Sequence, residues 1–251
     1  SVGSVFGKTE YKPLGRLSGL LAMTLLVGGL GVLVLDLGRP DRLIVAMTYF
    51  NMKSIFTWNI LLYTGFLGVV GLYLMTMFIN SWNKYTKIGG IAAFVWRFVL
   101  TTGTGSIFGF LVARQGYDAA ILAPTFIAAS LSFGTAIYML VLMWIYKSTG
   151  RALGDEVMTR LKRLNAVLAV AALFFVVVYH LTNLYATQHH GVEGFILGGG
   201  SVYSALFWIG QVLLGTIVPV ALFWTPSIKS RLSIIVGALL IILGGFSMIY
   251  V

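Results

Sequence analysis

The sequence predicts an all-α polytopic membrane protein with seven transmembrane helices, and three observations carry that reading. Of 251 residues, 59% are apolar and only 10% charged, with a mean hydropathy of +0.95, whereas a soluble domain carries about a quarter charged residues. Seven mostly apolar segments are each long enough to cross a hydrocarbon core of about 30 Å at about 1.5 Å per helical residue. These runs are continuous, whereas barrel strands of about 10 residues alternate in polarity. Seven spans use up nearly the whole chain and leave no room for a globular catalytic domain.

The spans are expected at 14–36, 54–80, 88–113, 120–146, 163–186, 202–224 and 231–251. The first is not a signal peptide, because it lacks a cleavage-type end and further spans follow. The second carries Gly65, Gly68 and Gly71, and the third carries Gly103, Gly105 and Ser106 within TTGTGS. Small residues in such places let helices approach closely, and TTGTGS has no following Lys that would make it a phosphate loop. Before the fifth span, Gly154 to Leu164 (GDEVMTRLKRL) reads as a short amphipathic connector on the membrane surface. Gly198, Gly199 and Gly200 form a turn before Ser201 opens the sixth span. The sequence has no initiator Met and ends on Ile249, Tyr250 and Val251 without polar closing residues; the expectation is a central piece of a longer polytopic protein.

The net charge of +10 resolves by topology. With alternating spans one face receives Lys8, Lys12, Arg16, Lys84, Lys87, Lys147, Arg151, Arg160, Lys162, Arg163, Lys229 and Arg231, which is 12 of the 17 cations. The opposite face holds Arg39, Arg42, Lys53 and Arg114, and Arg97 lies inside the third span. Such a bias over short loops marks the cytoplasmic side, so the N-terminal end is expected inside. Subtracting Glu10, Asp155 and Glu156 from the inner face, and Asp36, Asp41, Asp118 and Glu193 from the outer, leaves +9 inside and zero outside. The basic residues therefore read as orientation and anionic-lipid contact, not nucleic-acid binding.

An ionisable group at the bilayer centre costs about 2.5–3.5 kcal/mol on insertion scales, so the few polar residues inside spans are the candidate functional groups. His180 lies near the outer end of the fifth span. Asn59 lies early in the second, Tyr63 one turn deeper on the same face, and Asp36 and Arg39 close the first span at the same outer level. Such donors and acceptors under an apolar lid suit a quinone ring, whose carbonyls accept hydrogen bonds. His180 and Asp36 are the candidate catalytic groups, able to take protons released on quinol oxidation. The same residues also admit a structural role: Asp36 capping or pairing with Arg39, and His180 and Asn59 bonding across helices. Arg97, about 14 Å from the inner end at 1.5 Å per residue, is expected to face the bundle interior or a water-filled cavity on a proton path. No haem or metal site is expected: His180 is the one intramembrane His, and His189 and His190 are adjacent loop residues. The absence of Cys excludes a cysteine-held iron–sulfur cluster, a thiol nucleophile and a disulfide.

Val34 to Arg42, VLDLGRPDR, resembles the L-D-L-G-R-P segment of the NrfD/PsrC family of quinone-interacting membrane subunits. Gly105 to Ala136 (GSIFGFLVARQGYDAAILAPTFIAASLSFGTA) is similar to the region joining that family's two helical bundles, and Val202 to Pro219 (VYSALFWIGQVLLGTIVP) is similar to its late F-W-I span. Within the family the sequence is most similar to the branch that includes DsrP, HmeC and HybB. The resemblance implies a cofactor-free subunit that exchanges electrons between membrane quinone (menaquinone or ubiquinone) and a ferredoxin-like iron–sulfur subunit on the outer face. Larger members have about ten spans in two four-helix bundles. On that pattern residues 1–115 supply three helices of an incomplete first bundle and residues 116–251 the second four-helix bundle. The sequence departs from many relatives at Asn59, near which they carry a carboxylate, and after F-W-I, where it has Gly210 and Gln211.

The expected function is a quinone-reactive subunit of a respiratory redox complex in a prokaryotic cytoplasmic membrane, a non-autonomous part of an oxidoreductase. Its partners are expected to be the iron–sulfur subunit, other members of the complex, cytochrome c as a further candidate, and the bilayer. The rival readings are a proton-translocating subunit with no quinone site of its own and a small-solute transporter. The transporter would require inverted repeats with broken helices, and no internal repeat is found.

Overall fold

The computed structural model describes residues 12–36, 38–111, 116–117, 119–151, 153–225 and 230–251. The side chains or segments of Lys8, Glu10, Lys12, Arg114, Asp118 and Lys229, used above in the charge balance, lie outside the described residues. Seven helices are long and apolar enough to cross a membrane. They are α1 (Lys12–Asp36), α2 (Ile55–Phe78), α3 (Thr86–Gly109), α4 (Leu122–Ser148), α5 (Asp155–Tyr185), α6 (Val202–Trp224) and α7 (Arg231–Tyr250). The protein is all-α and crosses the membrane several times. It divides into two compact units, Ser1–Ile107 and Phe108–Val251.

In the first unit the junction after α1 follows directly from the LDLGRP motif. Gly38 has φ +64°, a left-handed conformation that costs glycine nothing, and Pro40 opens the one-turn helix Pro40–Arg42 where its missing N–H is not needed. Phe66, Val70, Tyr73, Leu74 and Met77 of α2 and Leu100 of α3 form the core of the unit. Arg16 ties α1 to α2 by donating to the Met77 carbonyl at 3.0 Å. Trp96 of α3 packs against Gly65 of α2, where any Cβ would meet its ring at 2.3 Å, and its Nε1 donates to the Leu62 carbonyl at 2.9 Å. Gly65 is thus a close-packing position, as expected. Gly68, expected to be another, has no neighbour within 4 Å of where a Cβ would stand, because it lies on the exposed side of α2.

In the second unit α4 to α7 pack through small residues. Ala128, Ala129, Ala136, Ala166, Ala169, Ala172 and Ala238 are buried, and tight van der Waals contact replaces the hydrophobic drive that lipid cannot supply. The closest approach is Gly215 of α6 against Gly244 of α7, where a Cβ on Gly215 would lie 2.6 Å from the Gly244 Cα. Phe133 of α4 covers Gly245, and Phe223 of α6 covers Gly237. Most of α6 is wound as π-helix, Leu206–Ile217, and Thr216 Oγ1 donates to the carbonyl of Gln211, five residues back, at 3.2 Å. Ser201 caps the start of α6 by accepting from the Ser204 N–H at 3.3 Å after Gly200 at φ +58°, as its sequence predicts.

The expected surface connector at 154–164 is not separate. It forms the first three turns of α5, whose 31 residues make a rod about 46 Å long. The reason is visible in its burial: Met158, Lys162, Asn165 and Ala166 occupy one buried face, so the segment packs into the bundle. Arg231 of α7 locks this base, donating to the Leu153 carbonyl at 3.3 Å and standing 3.7 Å from Asp155.

The Gly215–Gly244 contact sets a stability prediction. Gly215→Leu should lower stability by about 1–3 kcal/mol, as overpacking does, read as earlier thermal unfolding in detergent. Gly68→Ala, with open space around it, should unfold no earlier than the wild type.

Candidate functional site

Polar side chains gather in each unit, near the ends of spans. In the first unit Asn59 and Tyr63 stand one turn apart on α2 and both meet the TTGTGS stretch of α3. Asn59 is buried, its Oδ1 has no hydrogen-bond partner, and a Cβ on Gly103 would lie 3.6 Å from that oxygen. Gly103 therefore gives the Asn59 amide its room, and Leu62 closes the same gap from one side. The Tyr63 hydroxyl lies 3.3 Å from Thr104 Oγ1, which also donates to the Leu100 carbonyl at 3.0 Å. Asp36, the last residue of α1, and Arg39 are exposed. Arg97 is half-buried on α3, and its carbonyl accepts from Thr101 Oγ1 at 2.9 Å.

In the second unit His180 does not stand alone. Glu193, fully buried, places Oε2 at 2.7 Å from His180 Nδ1, and its Oε1 accepts from Asn183 Nδ2 at 2.9 Å. An ionised carboxylate only accepts, so with Glu193 charged the Nδ1 carries the hydrogen; the two atoms hold one proton between them. Phe207 of α6 sets its ring edge-on to the imidazole at 4.7 Å, and Tyr179 flanks it at 5.0 Å. The Tyr179 hydroxyl donates to the Gly116 carbonyl. His180 and Asn183, three residues apart, share a face of α5. Glu193 reaches them because residues 187–198 fold into three consecutive short helical turns over the end of α5. In the same segment His189 is buried with Nδ1 unpartnered, and His190 Nε2 lies 2.8 Å from the Leu184 carbonyl.

Sequence reasoning places Glu193 on the outer loops and misses its partnership with His180. A signal is present nonetheless: Glu193 is one of seven acidic residues in the protein and sits among apolar neighbours, GVEGFIL, which is unusual for a solvated loop carboxylate. Among the described residues no three His, Asp or Glu side chains gather as a metal-binding group.

A multi-pass helical membrane protein with small-residue packing and polar clusters within its spans is the class that these features define. A family model described as polysulphide reductase, NrfD, matches residues 1–251, and the chain belongs to that family. It is 27% identical over 228 residues to the Hdr-like menaquinol oxidoreductase integral membrane subunit of Archaeoglobus fulgidus, a match over 90% of this sequence and 57% of that protein. To a selenate reductase subunit of Mesobacillus selenatarsenatis it is 26% identical, over 96% and 65%. To a polysulfide reductase subunit of Wolinella succinogenes it is 25% identical, over 82% and 69%. The protein thus spans between half and about two thirds of the length of these relatives. No solved structure matches it.

Removing the acceptor at the centre of the His180 cluster leaves two buried donors unsatisfied. Glu193→Ala should cost about 3–5 kcal/mol, as breaking a buried pair does. Glu193→Gln, which keeps an acceptor for Asn183, should cost less. Thermal unfolding of both variants in detergent checks the order.

Proposed function

We propose that the protein is a quinone-reactive membrane subunit of a redox complex, and that quinone contacts the first unit through Asn59 and Tyr63 of α2, with Asp36 and Arg39 at the end of α1. The observation that carries this reading is the buried Asn59 carbonyl oxygen without a partner beside a hydroxyl pair, Tyr63 and Thr104. A buried acceptor left unmade costs about 1–3 kcal/mol, and a quinol hydroxyl would repay it by donating to Oδ1. After oxidation the Asn59 NH₂ can donate to a quinone carbonyl, and the Tyr63 hydroxyl can do so by exchanging its 3.3 Å bond to Thr104 Oγ1, so both redox forms find complementary groups. Asp36, exposed at the helix end, is placed to pass a released proton to water. The names of two relatives, a menaquinol oxidoreductase subunit and a polysulfide reductase subunit, support the same class of chemistry.

The protein has no cysteine, so an iron–sulfur partner is proposed as the other electron carrier, docked on the face opposite the basic ends. The charge of those ends, which carry Lys84, Lys87, Lys147, Arg151 and Arg160, supports a cytoplasmic location for them, in a prokaryotic cytoplasmic membrane. The alternative of a subunit with no quinone contact of its own predicts indifference to changes at Asn59 and Tyr63.

In the assembled complex, Asn59→Leu and Tyr63→Phe should each lower quinol-dependent kcat/KM by about tenfold, the equivalent of about 1.4 kcal/mol of lost hydrogen bonding. Asp36→Asn should slow turnover without weakening inhibitor binding. Steady-state kinetics with quinol-site inhibitor titration decides it: unchanged kcat/KM and unchanged inhibitor affinity in both α2 variants would exclude the site.

A further inference from the structure

The second unit holds buried polar groups that quinone contact does not use. They follow one face of α5: Lys162, Asn165, Ala169, Ala172, Val176, His180 and Asn183 are all buried, at the three- and four-residue spacing of a single helical stripe. Polar groups occupy both ends of the stripe and small or apolar residues its middle. Beside that middle lies a cavity of about 20 Å³, enough for one water molecule. Its lining is not wholly apolar: Ser132 of α4 and Gln211 and Thr216 of α6 face it together with Ala169, Ala172 and Val176 of α5.

Three observations point to water in this segment. Asn165, fully buried, accepts from Ser132 Oγ at 3.3 Å, yet its Nδ2 has no partner; a buried donor in that state calls for water. Gln211 and Thr216 are polar residues buried at bundle depth in the π-wound stretch of α6. Such π segments occur frequently at functional sites. The cavity also lies between the two polar ends. Ser132 joins it to Asn165, Val176 stands one turn from His180, and Gln211 one turn from Phe207, whose ring touches His180.

We propose that the second unit carries a proton route. The His180–Glu193 pair is its proton-holding site, the cavity water between Ser132, Gln211 and Thr216 its relay, and Asn165 the group that orients water arriving from the basic end. Lys162, one turn nearer that end and buried, keeps the mouth of the route polar. The step is a proton transfer only: a proton held between His180 Nδ1 and Glu193 Oε2 leaves toward the far face, the cavity water passes one to the pair in its place, and a proton taken up from the basic end restores that water. No electron moves and no other covalent bond changes. The route does not depend on quinone contact at Asn59 and Tyr63. That contact is read from kcat/KM for quinol and the route from protons moved per electron, so either can fail alone.

The test uses the whole complex in liposomes, with pH dyes reporting protons taken from the basic side for each electron transferred. In the wild type, uptake from the basic side accompanies electron flow. Gln211→Leu and Asn165→Leu should abolish this uptake while the uncoupled electron-transfer rate is retained, and Gln211→Glu, which keeps the cavity polar, should preserve it. Ser132→Ala carries the same expectation of loss if a leucine variant fails to assemble. Three results would overturn the proposal: no uptake from the basic side in the wild type, uptake unchanged in the assembled leucine or alanine variants, or loss of uptake in Gln211→Glu, which would make the effect one of packing.

Discussion

Hydrocarbon supplies no hydrogen bonds, so every polar group carried into the spans must find its partner within the protein. That constraint organises the second unit around Glu193. A carboxylate with no exposed surface is sustained by two donors, His180 and Asn183, both from α5, and the short helical turns at residues 187–198 exist in a geometry that delivers it to them. Where the same constraint is left unmet, at Asn59 Oδ1 and Asn165 Nδ2, a buried polar atom stands ready for a bond that a ligand or a water could supply. The two unpartnered amides thus point to different chemistry, one set against Gly103 of α3, the other bonded to Ser132, which lines a cavity.

Small residues make these arrangements compact. The Gly215–Gly244 approach brings α6 and α7 into backbone contact, and the π winding of α6 turns Gln211 and Thr216 into the bundle. Gly103 does the same on a smaller scale, giving the Asn59 amide room against α3. Glycine in these helices therefore shapes polar sites as well as packing.

Much of this is legible in the sequence. Continuous apolar runs locate all seven spans to within a few residues at most ends, because lipid selects for length and hydropathy alone. The L-D-L-G-R-P turn is readable too, since Gly38 and Pro40 have few conformations to choose from. The connector before α5 misleads because a charged, amphipathic stretch looks the same whether it lies on a surface or continues a helix; the buried stripe through Met158 and Lys162 decides for the helix. Gly68 looks like Gly65, because spacing does not reveal which side of α2 a neighbour covers. His180 stands out by its cost in the membrane, but Glu193 does not: a carboxylate between spans is ordinary in sequence, and only the folding of its loop carries it inward. The π winding of Leu206–Ile217 leaves no local signal in the sequence.

The length of α5 has a consequence for depth. Arg163 is exposed at the basic base of this helix, and His180 follows it by 17 positions, a distance of about 26 Å along a straight helix. Cations anchor at headgroup level, so α5 works as a measuring rod that suspends the His180–Glu193 pair a set height above one interface. The pair's distance from water on the other side is then whatever the bilayer leaves over. In a thin membrane it lies at the far interface, and in a thicker one it sinks beneath it, so on the proposed proton route lipid acyl length becomes a direct control on how readily the pair exchanges protons with the far side.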